Sequence, residues 1–157
     1  VTAVEYSAEL AAIGRREAEN RSIKNLTFVV SPAEDFSASE RFDIVFISGL
    51  FVYMNDDQAE KLVRSLPKLC DSGTTMLLRD GTGIAGRHEI NNRLSQHLQT
   101  NYSATYRTID QYRALFEGQG FSLLRHENMF PEDCPLNKYP ETRLRIYEFK
   151  LAGQPRA

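Results

Sequence analysis

Asp80, Arg79 and His88 are the residues whose types and spacing suit acid–base work. The acid and the guanidinium follow the apolar run Thr74 to Leu78 (TTMLL), and the imidazole comes soon after in the next segment. A carboxylate and a group that titrates near neutrality therefore stand beside one predicted strand end, and of the two the histidine is the better base at neutral pH. An ordinary surface histidine fits the same pattern. A second set is both aromatic and basic: Tyr102, Tyr106 and Arg107, with Lys138, Tyr139, Arg143 and Arg145 further on. It suits recognition of a small anionic molecule through forked guanidinium contacts, and a solvated strand face equally well. No His, Asp or Glu cluster has metal-ligand spacing, which argues against a metal-dependent reaction.

These groups need a scaffold, and its centre is Phe42 to Met54 (FDIVFISGLFVYM). The near-continuous apolar run, closed by Ser48-Gly49, predicts a strand buried on both faces, as in a parallel sheet covered by helices. In such sheets small ligands sit beyond the carboxyl ends of the strands, here at Ser48, Gly49, Leu50 and Phe51.

Strand and helix patterns alternate around that centre. Val1 to Tyr6 is a strand ending at Glu5, Ser7 opens a helix, and Leu26 to Val30 is a second strand stopped by Ser31-Pro32. After the central strand, Asp56 or Asp57 caps a helix with Ala59, Leu62, Val63, Leu66 and Leu69 inward, and Pro67 bends or finishes its last turn. Thr74 to Leu78 is a strand and Arg79 to Gly83 a polar loop. Ile84 to Thr100 is weakly helical, Thr108 starts a firmer helix, and Phe121 to Leu124 and Arg143 to Leu151 are strands. The alternation predicts an α/β fold with helices on both faces of a parallel sheet and an antiparallel finish.

At 157 residues, with 19 basic and 21 acidic side chains, the chain suits one domain and carries no general field for nucleic acid. Cys70 and Cys134 share no metal or redox spacing, and no apolar run reaches membrane-spanning length, so a cytoplasmic protein is expected, with no membrane partner. The sequence leaves the oligomeric state open.

The order VTAVEYS, VVSPAEDF, FDIVFISGLFVYM, LPKLCDSGTTMLLRD, then a terminal helix before GFSLL and RLRIYEF, resembles the class I S-adenosylmethionine-dependent methyltransferases. The resemblance covers essentially the whole chain and implies a Rossmann-like sheet flanked by helices, parallel with an antiparallel last strand. It implies S-adenosylmethionine as cofactor and methyl transfer, here to a small-molecule acceptor, of which an anionic one suits the basic residues. Glu5, followed by Tyr6, matches the acid that accepts hydrogen bonds from both ribose hydroxyls. Pro32, Ala33 and Glu34 match the adenine loop, although Pro32 replaces the usual first acid, which leaves the Ala33 backbone and the Glu34 side chain for adenine. Ser48, Gly49 and Leu50 match the segment that meets the methionine amino group.

Asp80 and His88 are then the candidate bases, and Tyr53, Arg79, Tyr106, Arg107 and Arg143 the candidate acceptor residues. The family's first strand and glycine-rich loop have no counterpart, so residues 1–152 are expected to be an N-terminally incomplete catalytic domain, with 153–157 a disordered tail. A nicotinamide-dinucleotide domain also places an acid after its second strand, but the AED turn and the antiparallel finish favour the methyltransferase. A non-catalytic methyltransferase-like interaction domain is the other alternative.

Overall fold

A serine set after a β-rich run starts the first helix, because its hydroxyl satisfies an amide that the helix itself cannot. Ser7 Oγ accepts from the Leu10 amide at 3.2 Å, and α1 runs Ala8–Asn20. Strands β1 (Thr2–Glu5) and β2 (Thr27–Val30) flank it and pair in parallel, with Glu5 opposite Val30. The helix rests closely on β2 because Gly14 has no side chain: a Cβ there would lie 2.4 Å from the Phe28 ring. Arg15 ties the same contact by donating from Nη2 to the Phe28 carbonyl at 3.0 Å. Past Pro32, Ala33–Asp35 closes a single 3-10 turn. Val1–Ser39 form one unit and Glu40–Ala157 another in the computed structural model, which describes residues 1–95, 99–137 and 139–152. The tail at 153–157 and Lys138 lie outside the described residues.

The second unit is built on a four-stranded sheet in the order β3-β4-β8-β7. β3 (Ile44–Ser48) and β4 (Thr75–Gly83) are parallel, whereas β8 (Thr142–Leu151) runs antiparallel to both β4 and β7 (Phe121–Asn128). That is the parallel sheet with an antiparallel last strand which the sequence predicts. β3 departs from expectation: Ile47 is buried, but Ile44 and Phe46 are 62% and 56% exposed. The reason is positional, since β3 ends this sheet and its alternation turns only one side toward the buried cluster.

That cluster is aromatic. Phe116 of α3 (Ile109–Glu117) stacks on Phe149 with ring centres 4.2 Å apart, and Tyr112 lies 5.4 Å from Tyr147. Each of these fully buried rings contributes about 1.5–3 kcal/mol of burial free energy. Helix α2 (Asp56–Ser65) begins one residue before the expected caps, at Asn55, whose carboxamide and that of Gln58 form a reciprocal capping box. It ends where Pro67 predicts, in the 3-10 turn Leu66–Leu69.

Two segments correct the sequence reading. Arg79 to Gly83 is not a loop: β4 continues through it because β8 pairs along its whole length, from Met76 opposite Phe149 to Gly83 opposite Thr142. Ile84 to Ser95 is not helical either, and residues 96–98 of the expected helix lie outside the described residues. The segment leads into a hairpin of β5 (His88–Ser95) and β6 (Thr100–Tyr106), in which Ile90 faces Ala104 and both are buried. No described helix is long and apolar enough to cross a membrane.

Candidate functional site

Gly49 begins the site, because its φ of +63° lets the chain leave β3 in a left-handed turn that other residues rarely adopt. Nothing lies within 4 Å of where its Cβ would be, so its backbone is open to approach. The turn aims the next two amides at Asp80. The Leu50 and Phe51 amides donate to Oδ2 at 3.1 and 2.8 Å, and the Gly81 amide donates to Oδ1 at 2.8 Å. Asp80 is completely buried, and burial pushes its carboxyl up to about 6 even though these amides favour the charged form. The residue expected to serve as a base thus holds the turn after β3 against the end of β4. Ser48 and Arg79 face one another across the same strand ends, with Arg79 Nη1 donating to Ser48 Oγ at 2.8 Å.

The sign of the pH effect follows from that raised value. The folded state holds the Asp80 proton more tightly than an unfolded chain does, so the ionised carboxylate costs stability above pH 6, and that cost disappears as pH falls from about 6 toward 4. Between pH 7.5 and 5 the wild type is expected to gain roughly 1–1.5 kcal/mol relative to Asp80→Asn, measured by urea unfolding at each pH. Parallel pH profiles of the two proteins would refute it.

A cleft of about 260 Å³ opens beside Asp80. Gly49, Val52 and Tyr53 line it from the turn, Asp80 and Gly81 from β4, and Tyr106 from β6; Leu136, Asn137 and Tyr139, with Thr142, Arg143 and Leu144, close the far side. Gly81 is small of necessity, since a Cβ there would come within 2.7 Å of the Tyr106 ring and 3.1 Å of a Val52 methyl. Gly81→Ala is expected to cost about 1–3 kcal/mol through displacement of that ring. Gly86→Ala, with nothing within 4 Å, should be near neutral in the same denaturation series. Burial and the neighbouring Tyr102 push Tyr106 up to about 12, so its hydroxyl stays protonated at neutral pH. Burial also raises Tyr102, with a hydrogen bond to Tyr139 as the next cause.

The basic residues are engaged. Arg143 donates from Nη2 to Glu132 Oε2 at 2.8 Å and from Nη1 to the Tyr139 and Thr142 carbonyls at 3.2 and 2.8 Å. Arg145 bonds Asn128 and His126. Arg107, expected at the acceptor, lies outside the cleft lining in a buried clamp. Its Nη1 holds the Phe51 carbonyl at 2.9 Å, its Nη2 the Met54 carbonyl at 3.0 Å, and Nε and Nη2 bond Asp56 Oδ1 at 3.1 and 2.6 Å. Arg87 holds the other side of Asp56 at 3.0 Å, and the bond to Arg87, followed by that to Arg107, keeps this carboxyl below its ordinary range. His88 sits on β5 opposite Tyr106, with ring centres 5.8 Å apart, and is not part of the cleft lining. Among the described residues no group of three or more His, Cys, Asp or Glu is placed to hold a metal ion.

In the first unit, Glu5 Oε1 accepts the Ser7 amide at 2.8 Å, which fixes the carboxylate beside the start of α1 and leaves Oε2 available. Tyr6 is exposed, Pro32 precedes the 3-10 turn, and Ala33 and Glu34 lie in its first positions. Leu136, Asn137, Thr142 and Leu144 were not singled out by the sequence. Thr142 and Leu144 join the cleft through the pairing of β8 with β4, which no local pattern signals.

Residues 1–73 match a family described as a methyltransferase domain. Among solved structures, the glycopeptide N-methyltransferase MtfA bound to S-adenosylmethionine superimposes with a TM-score of 0.71 at 15% identity, over 96% of this chain and 77% of its own. The 1,6-didemethyltoxoflavin N1-methyltransferase of Burkholderia thailandensis, solved with its acceptor and S-adenosylhomocysteine, gives 0.69 at 15% identity over 97% and 61%. The mitomycin 7-O-methyltransferase MmcR gives 0.69 at 16% identity over 96% and 41%. No curated protein matches the sequence.

Proposed function

We propose that this chain, which belongs with the class I S-adenosylmethionine-dependent methyltransferases, methylates a small-molecule acceptor held in the cleft beside Asp80. The observation that carries the reading is the cleft itself: about 260 Å³, at the carboxyl ends of two parallel strands, walled by tyrosines. That volume is just under the range of roughly 300–1,000 Å³ typical of drug-sized sites, so it suits a small molecule and not a nucleic-acid strand. The similar structures include enzymes whose named acceptors are small molecules.

The residues fit the cofactor. Glu5 has one carboxylate oxygen free for ribose hydroxyls, and the Ala33 backbone with the Glu34 side chain is proposed for adenine. In the second unit, the open backbone of Ser48, Gly49 and Leu50 is proposed for the methionine amino group. When bound, S-adenosylmethionine supplies an electrophilic methyl on a sulfonium. The chain's own work is then positioning: Gly49 and Asp80 fix the turn, and Tyr53 and Tyr106 orient the acceptor for in-line attack. Among the described lining residues no free carboxylate or imidazole serves a hydroxyl acceptor, since the Asp80 oxygens are turned to amides and His88 stands against Tyr106 outside the lining. An anionic substituent on the acceptor would exchange with Glu132, which is largely exposed, for the fork of Arg143. Cys70 and Cys134 are both free thiols, which supports a reducing cytoplasmic setting.

The test is a transfer assay with methyl-labelled cofactor over metabolite and nucleic-acid panels. A labelled small product supports the reading. Labelled RNA as the sole product, or S-adenosylhomocysteine binding with no product from any acceptor, overturns it in favour of a different substrate or a non-catalytic domain.

A further inference from the structure

Three tyrosines line the cleft together with two glycines. Gly49 presents open backbone, whereas Gly81 is covered by the Tyr106 ring, which holds it to that size. Tyr53, Tyr106 and Tyr139 supply three ring-bearing walls from three separate segments, the turn after β3, the hairpin and the loop before β8. Tyr102, on β6 with Tyr106, neighbours them. The one carboxylate lining the cleft is saturated by backbone amides, and the one guanidinium there is bonded to Glu132 and to carbonyls. Both charges already have partners, which leaves the tyrosine rings beside the open Gly49 backbone as the distinctive surface of the cleft. An aromatic ring between such walls gains about two- to tenfold in affinity per pair beyond its area, which a puckered aliphatic ring of the same size does not.

We infer that the acceptor is a planar aromatic molecule whose ring enters between Tyr53, Tyr106 and Tyr139, beside the open backbone of Gly49. The inference rests on the proposed function for its biological meaning, but ring recognition is measured without methyl transfer. The chain has seven tyrosines and no tryptophan, and four of the seven belong to this cluster, so intrinsic tyrosine emission reports occupancy directly.

The experiment titrates the 157-residue chain, with S-adenosylhomocysteine present and its own binding measured first by calorimetry, with benzoate and with cyclohexanecarboxylate. The two probes share charge and size and differ in planarity; quinoline serves as the uncharged planar probe, read by calorimetry because it absorbs. Benzoate and quinoline are expected to bind at least about fivefold more tightly than cyclohexanecarboxylate, with benzoate changing tyrosine emission. Tyr106→Leu should abolish that preference and Tyr106→Phe should retain it. Equal binding of benzoate and its saturated analogue, or no binding by either planar probe, overturns the inference. If S-adenosylhomocysteine binds normally in that case, the methyltransferase reading survives the failure.

Discussion

Arg107→Leu is expected to lower the melting temperature by about 8–15 °C. The guanidinium is 3% exposed and carries four hydrogen bonds, to the Phe51 and Met54 carbonyls and to Asp56. Leucine fills much of the volume but takes the donor from the Met54 carbonyl, leaves the Phe51 carbonyl with the Met54 amide alone and Asp56 with Arg87 alone, and breaking a buried charged network in this way costs roughly 3–5 kcal/mol. For a domain of this length each kcal/mol corresponds to about 2–4 °C. Arg107→Lys should fall between, because an ammonium keeps the charge but cannot fork between two carbonyls and a carboxylate. The variant also separates two roles. A residue that only bound the acceptor would leave the melt unchanged and raise KM, so an unchanged melt would return Arg107 to the acceptor. A depressed melt makes it the strut of the turn that Gly49 and Asp80 shape.

That role could not have been read from the sequence, where an arginine before a helix cap looks the same whether it points inward or outward. Asp80 is different. Met76, Leu78 and Asp80 alternate on one side of β4, and the first two are fully buried, so period-2 reasoning alone places the acid inside. What the pattern does not supply is its partners, because the amides of Leu50 and Phe51 come from a distant turn. The parallel sheet and its antiparallel finish were legible from the alternation of strand and helix patterns, and α2 from its apolar spacing. The hairpin was not legible. A register shift after Ile90 and a left-handed Asn92 interrupt its alternation, so no clean two-residue period survives to be read. The run Arg79 to Gly83 failed for the opposite reason: its glycines and polar residues favour a loop, and pairing with β8 overrides them.

Glu5→Ala is expected to weaken S-adenosylhomocysteine binding by a hundredfold or more while the chain still unfolds cooperatively. Glu5 ends β1, and its Oε1 is fixed by the Ser7 amide at 2.8 Å, so the carboxylate is oriented before any ligand arrives. If it takes both hydroxyls of a ribose, each charge-assisted hydrogen bond is worth roughly 1.5–3 kcal/mol, and loss of the pair corresponds to about two decades in affinity or more. Glu5→Gln keeps an oxygen for Ser7 but exchanges an acceptor for a donor, so a loss of roughly tenfold is expected. Calorimetry with S-adenosylhomocysteine measures all three proteins, and a thermal melt shows what the Ser7 bond is worth by itself, about 1 kcal/mol. A loss under threefold in folded Glu5→Ala would leave Glu5 as the residue that steadies the start of α1 and nothing more.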